Sequence, residues 1–197
     1  LIRHDANIPA SGSGIWGDKT PSYIIHIPLL KSLFPSAKII HIVRDVRDYS
    51  LSSHKAWGKN MVRAAVRWQD RIMLFRKNLR IYTNDIWELK YENLLDNPEK
   101  ELKNICDFLA IPFNPQMVEL ARPSENLGDA KGQQVVVKGN KLKYLSGMKA
   151  PLIALIEQIS KPALQAYDYP IEYTGPKKQI SSVRMLAYQL FDGLNLV

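Results

Sequence analysis

The chain has 197 residues, 46% of them hydrophobic and 23% charged, a composition that supports a packed core and excludes a disordered or fibrous protein. No apolar run approaches the roughly 20 residues that cross a bilayer as a helix. The formal net charge is +8 and is spread along the chain, which suits either an anionic partner (nucleotide, sulfated or phosphorylated ligand, nucleic acid, membrane surface) or a plain solvated basic surface.

The single cysteine, Cys106, excludes an intrachain disulfide and a multi-cysteine metal site. It reads as a small core residue and points to a reducing, cytoplasmic setting. The chain starts LIRHDANIPA, with neither an initiator Met nor the basic-then-apolar pattern of a secretion signal. We read residues 1–197 as one domain lacking upstream sequence.

The opening segment, with IPASGSGIWGDKTP, is rich in Gly, Ser and Pro and reads as loop. Its SGSG is not a phosphate loop, because no GK[ST] follows and no apolar strand precedes it. Ile25, Leu29, Leu30 and Leu33 fall at helical spacing over residues 22–34, between Pro21, suited to a first helical turn, and Pro35, which stops it. Residues 38–44 read as a buried strand from the run Ile39, Ile40, Ile42, Val43.

Asp45 or Asp48 then caps a helix to about Trp57. A longer helix is expected over residues 60–79, where Met61, Ala65, Trp68, Ile72, Phe75 and Leu79 recur in steps of three and four. IWELKY, residues 86–91, is a second strand. Asn97-Pro98-Glu99 opens a helix with Leu102, Ile105, Cys106 and Leu109 on its apolar face. Beyond it we expect a short helix at 117–121, a short strand at 135–137, a basic loop at 138–146, and helices at 152–167 and 181–191. Strand followed by helix, twice, predicts an α/β fold: a three-layer α/β/α sandwich with a mainly parallel sheet.

Arg44 stands at the carboxyl end of the first strand, where open α/β sheets bind ligands, and just ahead of a helix N-terminus, which attracts phosphate. Its guanidinium can grip a phosphate bidentately. Ser52, eight residues on, can offer a hydroxyl from the helix. The plain alternative is an Arg–Asp surface network with Asp45, Arg47 and Asp48.

Gly17-Asp18-Lys19-Thr20-Pro21, a helix, and then AKIIHIVRDVRDYSLSS resemble the sulfotransferase superfamily, on its bacterial and carbohydrate-type branch. That family carries a KTP-like segment, a helix and a strand ending in RDxRDxxxS, whose Arg and Ser hold the 3′-phosphate of the donor. Arg44 and Ser52 match in type and spacing. Tyr91-Glu92-Asn93-Leu94-Leu95, Asn97-Pro98-Glu99 and Phe108-Leu109-Ala110-Ile111 continue the resemblance. It implies a place near the donor adenine for Tyr91, which on its own reads equally as a core aromatic. The family's later RxGxxGxW-type loop corresponds to Lys138-Gly139-Asn140-Lys141-Leu142-Lys143-Tyr144. The usual Trp is absent, and Lys138, Gly139 and Lys141 are possible phosphate contacts or parts of an ordinary basic loop.

The resemblance spans about residues 17–170. It implies a P-loop-NTPase-like fold and 3′-phosphoadenosine 5′-phosphosulfate as co-substrate, with no metal. The implied reaction moves a sulfuryl group to a hydroxyl or amine of a small-molecule or carbohydrate acceptor. Lys19 matches the family's Lys near the sulfuryl group and is the expected catalytic residue. Alternatively it is a surface Lys paired with Asp18.

Two departures stand out. Pro21 occupies the place of a family His base, and His26, His41 and His54 give no clear substitute, so no base is assigned. Nothing in residues 1–16 matches the glycine-rich 5′-phosphosulfate loop, so the first strand and phosphate loop are expected upstream. The alternative is a non-catalytic relative that binds phosphonucleotides or sulfated glycans. A nucleic-acid-binding domain needs a continuous basic face with exposed aromatics. Trp57 and Trp68 fall on apolar helix faces, which speaks against nucleic acid as a partner.

Overall fold

The computed structural model describes residues 15, 17–119 and 138–194. After a 3₁₀ turn at Pro21–Ile25, the elements run α1 (Ile27–Leu33), β1 (Ile39–Val43), α2 (Val46–Trp57), α3 (Met61–Ile81), β2 (Ile86–Lys90), α4 (Tyr91–Asp96) and α5 (Pro98–Leu109). A 3₁₀ turn at Pro115–Val118 follows, then α6 (Tyr144–Gly147), α7 (Ala150–Ala166) and α8 (Ser182–Leu194). The expected strand at 135–137 lies outside the described residues.

β1 and β2 pair in parallel, with Ile39 opposite Ile86 and His41 opposite Glu88. Helices cover both faces, which gives the three layers. On one face His41 stacks on Phe75 of α3, with ring centroids 3.8 Å apart. Phe75 also joins Ile27 of α1 and Ile86 of β2 in a small buried cluster. On the other face Trp87 meets Phe108 of α5 at 5.8 Å.

The second face is covered unevenly. α5 lies over β2, whose Leu89 is 5% exposed, whereas Ile40 and Ile42 of β1 are 38% and 49% exposed. The expectation of a strand buried on both faces therefore holds for one face only. The main core forms where α3 crosses α7 and α2, around Ala65, Trp68, Ile72, Ile156, Ile159 and Leu164. Burying each large side chain there contributes about 1.5–3 kcal/mol.

Local chemistry sets the boundaries. The helix expected over 22–34 is split at His26: Pro21 starts the 3₁₀ turn, and Pro28 occupies the first turn of α1, where a missing N–H costs nothing. Asp45 caps α2 by accepting from Arg47 N at 2.8 Å, and Gly58 ends it in the left-handed region at φ 61°. Asn60 caps α3 through Arg63 N. Asn97 precedes Pro98 as expected, yet its side chain makes no cap bond.

Pro162 inside α7 cannot bond back to Gln158, and Lys178 N takes that carbonyl instead at 2.9 Å. Glu157, one residue earlier, accepts from Glu172 N and Tyr173 N. The segment after α7 is thereby strapped to it, and Glu157 is fixed against Arg47 in the first turn of α2.

Candidate anion-binding site at the carboxyl end of β1

RDVRD divides its two arginines between different tasks. Arg47 is 1% exposed. Its guanidinium donates to Asp45 through Nε at 3.0 Å and Nη2 at 2.6 Å, and to Glu157 through Nη1 at 2.6 Å. It also lies 4.3 Å from the ring centroid of Tyr144. Burial works against its charge, but Asp45 and Glu157 hold its pKa above the ordinary arginine value. The Arg–Asp network weighed from sequence thus exists, but it is buried and built on Arg47.

The network fixes the turn from β1 into α2. Asp45 N donates to Glu92 Oε1 at 3.0 Å. Glu92 Oε2 in turn accepts from Tyr169 Oη at 2.8 Å. Burial, and then Glu92, push the Tyr169 hydroxyl well above the usual phenol range, so it remains a donor. Asp48 Oδ1 accepts from Tyr144 N at 3.0 Å and anchors the end of the basic loop to α2.

Arg44 is thereby left to face the loop. Its Nη2 donates to the backbone oxygen of Asn140 at 3.0 Å and to Asn140 Oδ1 at 3.3 Å. Its guanidinium carbon lies 4.9 Å from the Tyr91 ring centroid, within cation–π range. Asn140 Nδ2 completes the trio by donating to Tyr91 Oη at 2.8 Å. Arg44 Nε is buried and has no partner. A cation with unfilled donors, on a buried scaffold at the N-terminus of α2, has the chemistry to receive an oxyanion.

The other sequence-predicted residues fall around this trio in part. Lys141 pairs with Asp96 at the end of α4. Lys138 and Gly139 are exposed at the start of the loop. A Cβ at Gly139 would meet nothing within 4 Å. Ser52 is half-buried on α2, one turn beyond Asp48 and on the same face.

Lys19 sits on a separate, exposed segment leading into the Pro21–Ile25 turn. There Asp18 is held below the usual carboxylate range, first by the Tyr23 hydroxyl and then by Thr20. Three contributors went unassigned in the sequence reading. They are Asn140, which sat unmarked inside the basic loop, and Glu92 and Glu157, whose roles depend on long-range contacts. Among the described residues no cluster of His, Cys, Asp or Glu could hold a metal ion, and no helix is long and apolar enough to cross a membrane.

A model described as the Sulfotransferase family matches residues 4–115, more than half of the chain. The chain belongs to the sulfotransferase family. A "Putative protein-tyrosine sulfotransferase" of Caenorhabditis elegans is 28% identical over 122 residues, covering 57% of this chain and 45% of that protein. Its Caenorhabditis briggsae counterpart is 28% identical over 141 residues, covering 62% and 48%. An uncharacterised Aquifex aeolicus protein is 23% identical over 128 residues, covering 60% of this chain and 17% of that one.

This member of the sulfotransferase family therefore matches less than half the length of each of these relatives. Among solved structures, a sulfotransferase domain from the curacin biosynthetic pathway matches with a TM-score of 0.56 at 18% identity. That match covers 78% of this chain and 62% of that one. It extends the agreement to the fold.

Proposed function

We propose that Arg44 and its neighbours bind the 3′-phosphate of 3′-phosphoadenosine 5′-phosphosulfate, and that the protein transfers the sulfuryl group to a hydroxyl or amine acceptor of small-molecule or carbohydrate type. The observation that carries this is the Arg44 guanidinium: preset by Tyr91 and the Arg47 network, with a buried donor unfilled. Bound there, the donor supplies a sulfuryl group activated by its phosphate anhydride bond.

The chain's own residues do the positioning. Arg44 and the Ser52 hydroxyl take phosphate oxygens. The Tyr91 ring flanks the adenine side. Lys138, Gly139 and Lys141 bring positive charge and backbone N–H groups from the loop. Asn140 O and Oδ1 both accept from Arg44 Nη2, so phosphate oxygens replace an oxygen pair that already accepts from that donor. Lys19 stabilises charge on the bridging oxygen, the kind of work that dominates loose transfer transition states.

Arg44→Ala tests the reading. Titration calorimetry with 3′-phosphoadenosine 5′-phosphate should show a loss of about 2–5 kcal/mol, the usual cost of truncating one partner of a buried charge pair. An unchanged Kd refutes the assignment.

A further inference from the structure

A second basic surface lies on the other side of α2, supplied by Lys59 and α3. Successive helical residues turn by about 100°, so Tyr49, Ser53 and Trp57 point away from the Asp48–Ser52 face that meets the loop. They open onto a cleft of about 160 Å³ that is also lined by Lys59, Arg63, Arg67 and Arg71. Arg63, Arg67 and Arg71 recur every fourth residue on α3, one turn apart on one face. Like charges at that spacing repel each other.

Acidic compensation is small. Asp192 of α8 is the cleft's one carboxylate among the described residues. It is 4% exposed, and both its oxygens are engaged, one by Asn60 N and one by Arg63 Nη1. No ion pair among the described residues joins Lys59, Arg67 or Arg71. Desolvation by the cleft walls, and then the charges of Arg71 and Arg63, push the Arg67 guanidinium below its ordinary value.

Trp57, expected from sequence on an apolar helix face, is instead 49% exposed beside these cations. Two forked guanidinia one turn apart, with a lysine and an open aromatic face, suit a tetrahedral dianion, which accepts bidentate bonds and has room in so small a space.

We propose that this cleft between α2, α3 and α8 binds a phosphate or sulfate group on Arg67 and Arg71, with Lys59 and Arg63 at its rim, as a site separate from the Arg44 group. The ligand is either a free small anion or such a group borne on a polymer.

Calorimetric titration of the full chain with inorganic pyrophosphate tests the site. The expected result is saturable binding that weakens at least tenfold in the Arg67→Ala/Arg71→Ala double variant and persists in Arg44→Ala. The Arg67→Lys/Arg71→Lys variant should fall between, because charge remains and the fork is lost. Thermal midpoints confirm that each variant is folded; the arginines lie at the surface of α3, away from its core face.

A sulfated tetrasaccharide serves as a second probe. Binding tenfold tighter than pyrophosphate, and lost in the same double variant, names a polymer-borne sulfate as the occupant. Equal or weaker binding with the same dependence names a free anion. Pyrophosphate affinity unchanged in the double Ala variant, or abolished by Arg44→Ala alone, overturns the proposal.

Discussion

Arg44 and Asn140 lie 96 residues apart in the chain and meet through a 3.0 Å bond from the Arg44 guanidinium to the Asn140 backbone oxygen. That bond closes the basic loop onto the end of β1. It also makes Asn140 the acceptor that a phosphate must replace or join.

The two arginines of RDVRD should separate cleanly. Arg47→Ala leaves Asp45 and Glu157 as buried carboxylates without their cation, a change that costs about 3–5 kcal/mol. Arg44→Ala should cost less, about 1–2 kcal/mol for its bonds to Asn140 and its contact with Tyr91, while nucleotide affinity falls by about 2–5 kcal/mol. Urea denaturation midpoints of the two variants check this.

Tyr91 contributes a ring to Arg44 and an oxygen to Asn140. Tyr91→Phe keeps the ring and should lower stability by about 0.5–1.5 kcal/mol, with nucleotide affinity within a few-fold of wild type. Tyr91→Ala loses both and should weaken the nucleotide further, by about 0.5–1 kcal/mol for the cation–π contact. Parallel denaturation and calorimetry distinguish the two contributions.

Lys141 and Asp96 form a partly exposed pair. Lys141→Ala should therefore change stability by about 0–1 kcal/mol. If Lys141 turns to the phosphate on binding, the same variant should flatten the salt dependence of nucleotide affinity, read from titrations at increasing ionic strength.

Tyr167 and Tyr169 are pushed far above the ordinary phenol value of 10.0, by burial first and then by Glu88 and Glu92. Below pH 10 both states of the protein hold these protons. Above it the unfolded chain releases them and the folded chain does not, so stability should fall as pH rises, by up to about 1.4 kcal/mol per pH unit for each tyrosine. Tyr169→Phe should make the decline shallower, as seen in urea midpoints measured from pH 9 to 11.

Local patterns made much of this fold readable in advance. The β-branched run at Ile39–Val43, the cap at Asp45 and the three–four spacing from Met61 to Leu79 are short-range signals, and the elements appear where they place them. Arg44 stood out as a candidate by its place at a strand end and Tyr91 by the family resemblance alone, and the structure brings the two side chains together. Asn140, Glu92 and Glu157 were not legible, since each matters through a partner 47 or more residues away. The exposure of Ile40, Ile42 and Trp57 escaped the same reading, because an apolar run or helical face does not say which side a neighbour covers.

The most direct test is a pair of calorimetric titrations of the wild-type chain with 3′-phosphoadenosine 5′-phosphate and with adenosine 5′-phosphate. The account predicts that removing the 3′-phosphate costs at least tenfold in affinity, with the difference shrinking at high salt. Equal affinities for the two nucleotides would contradict it.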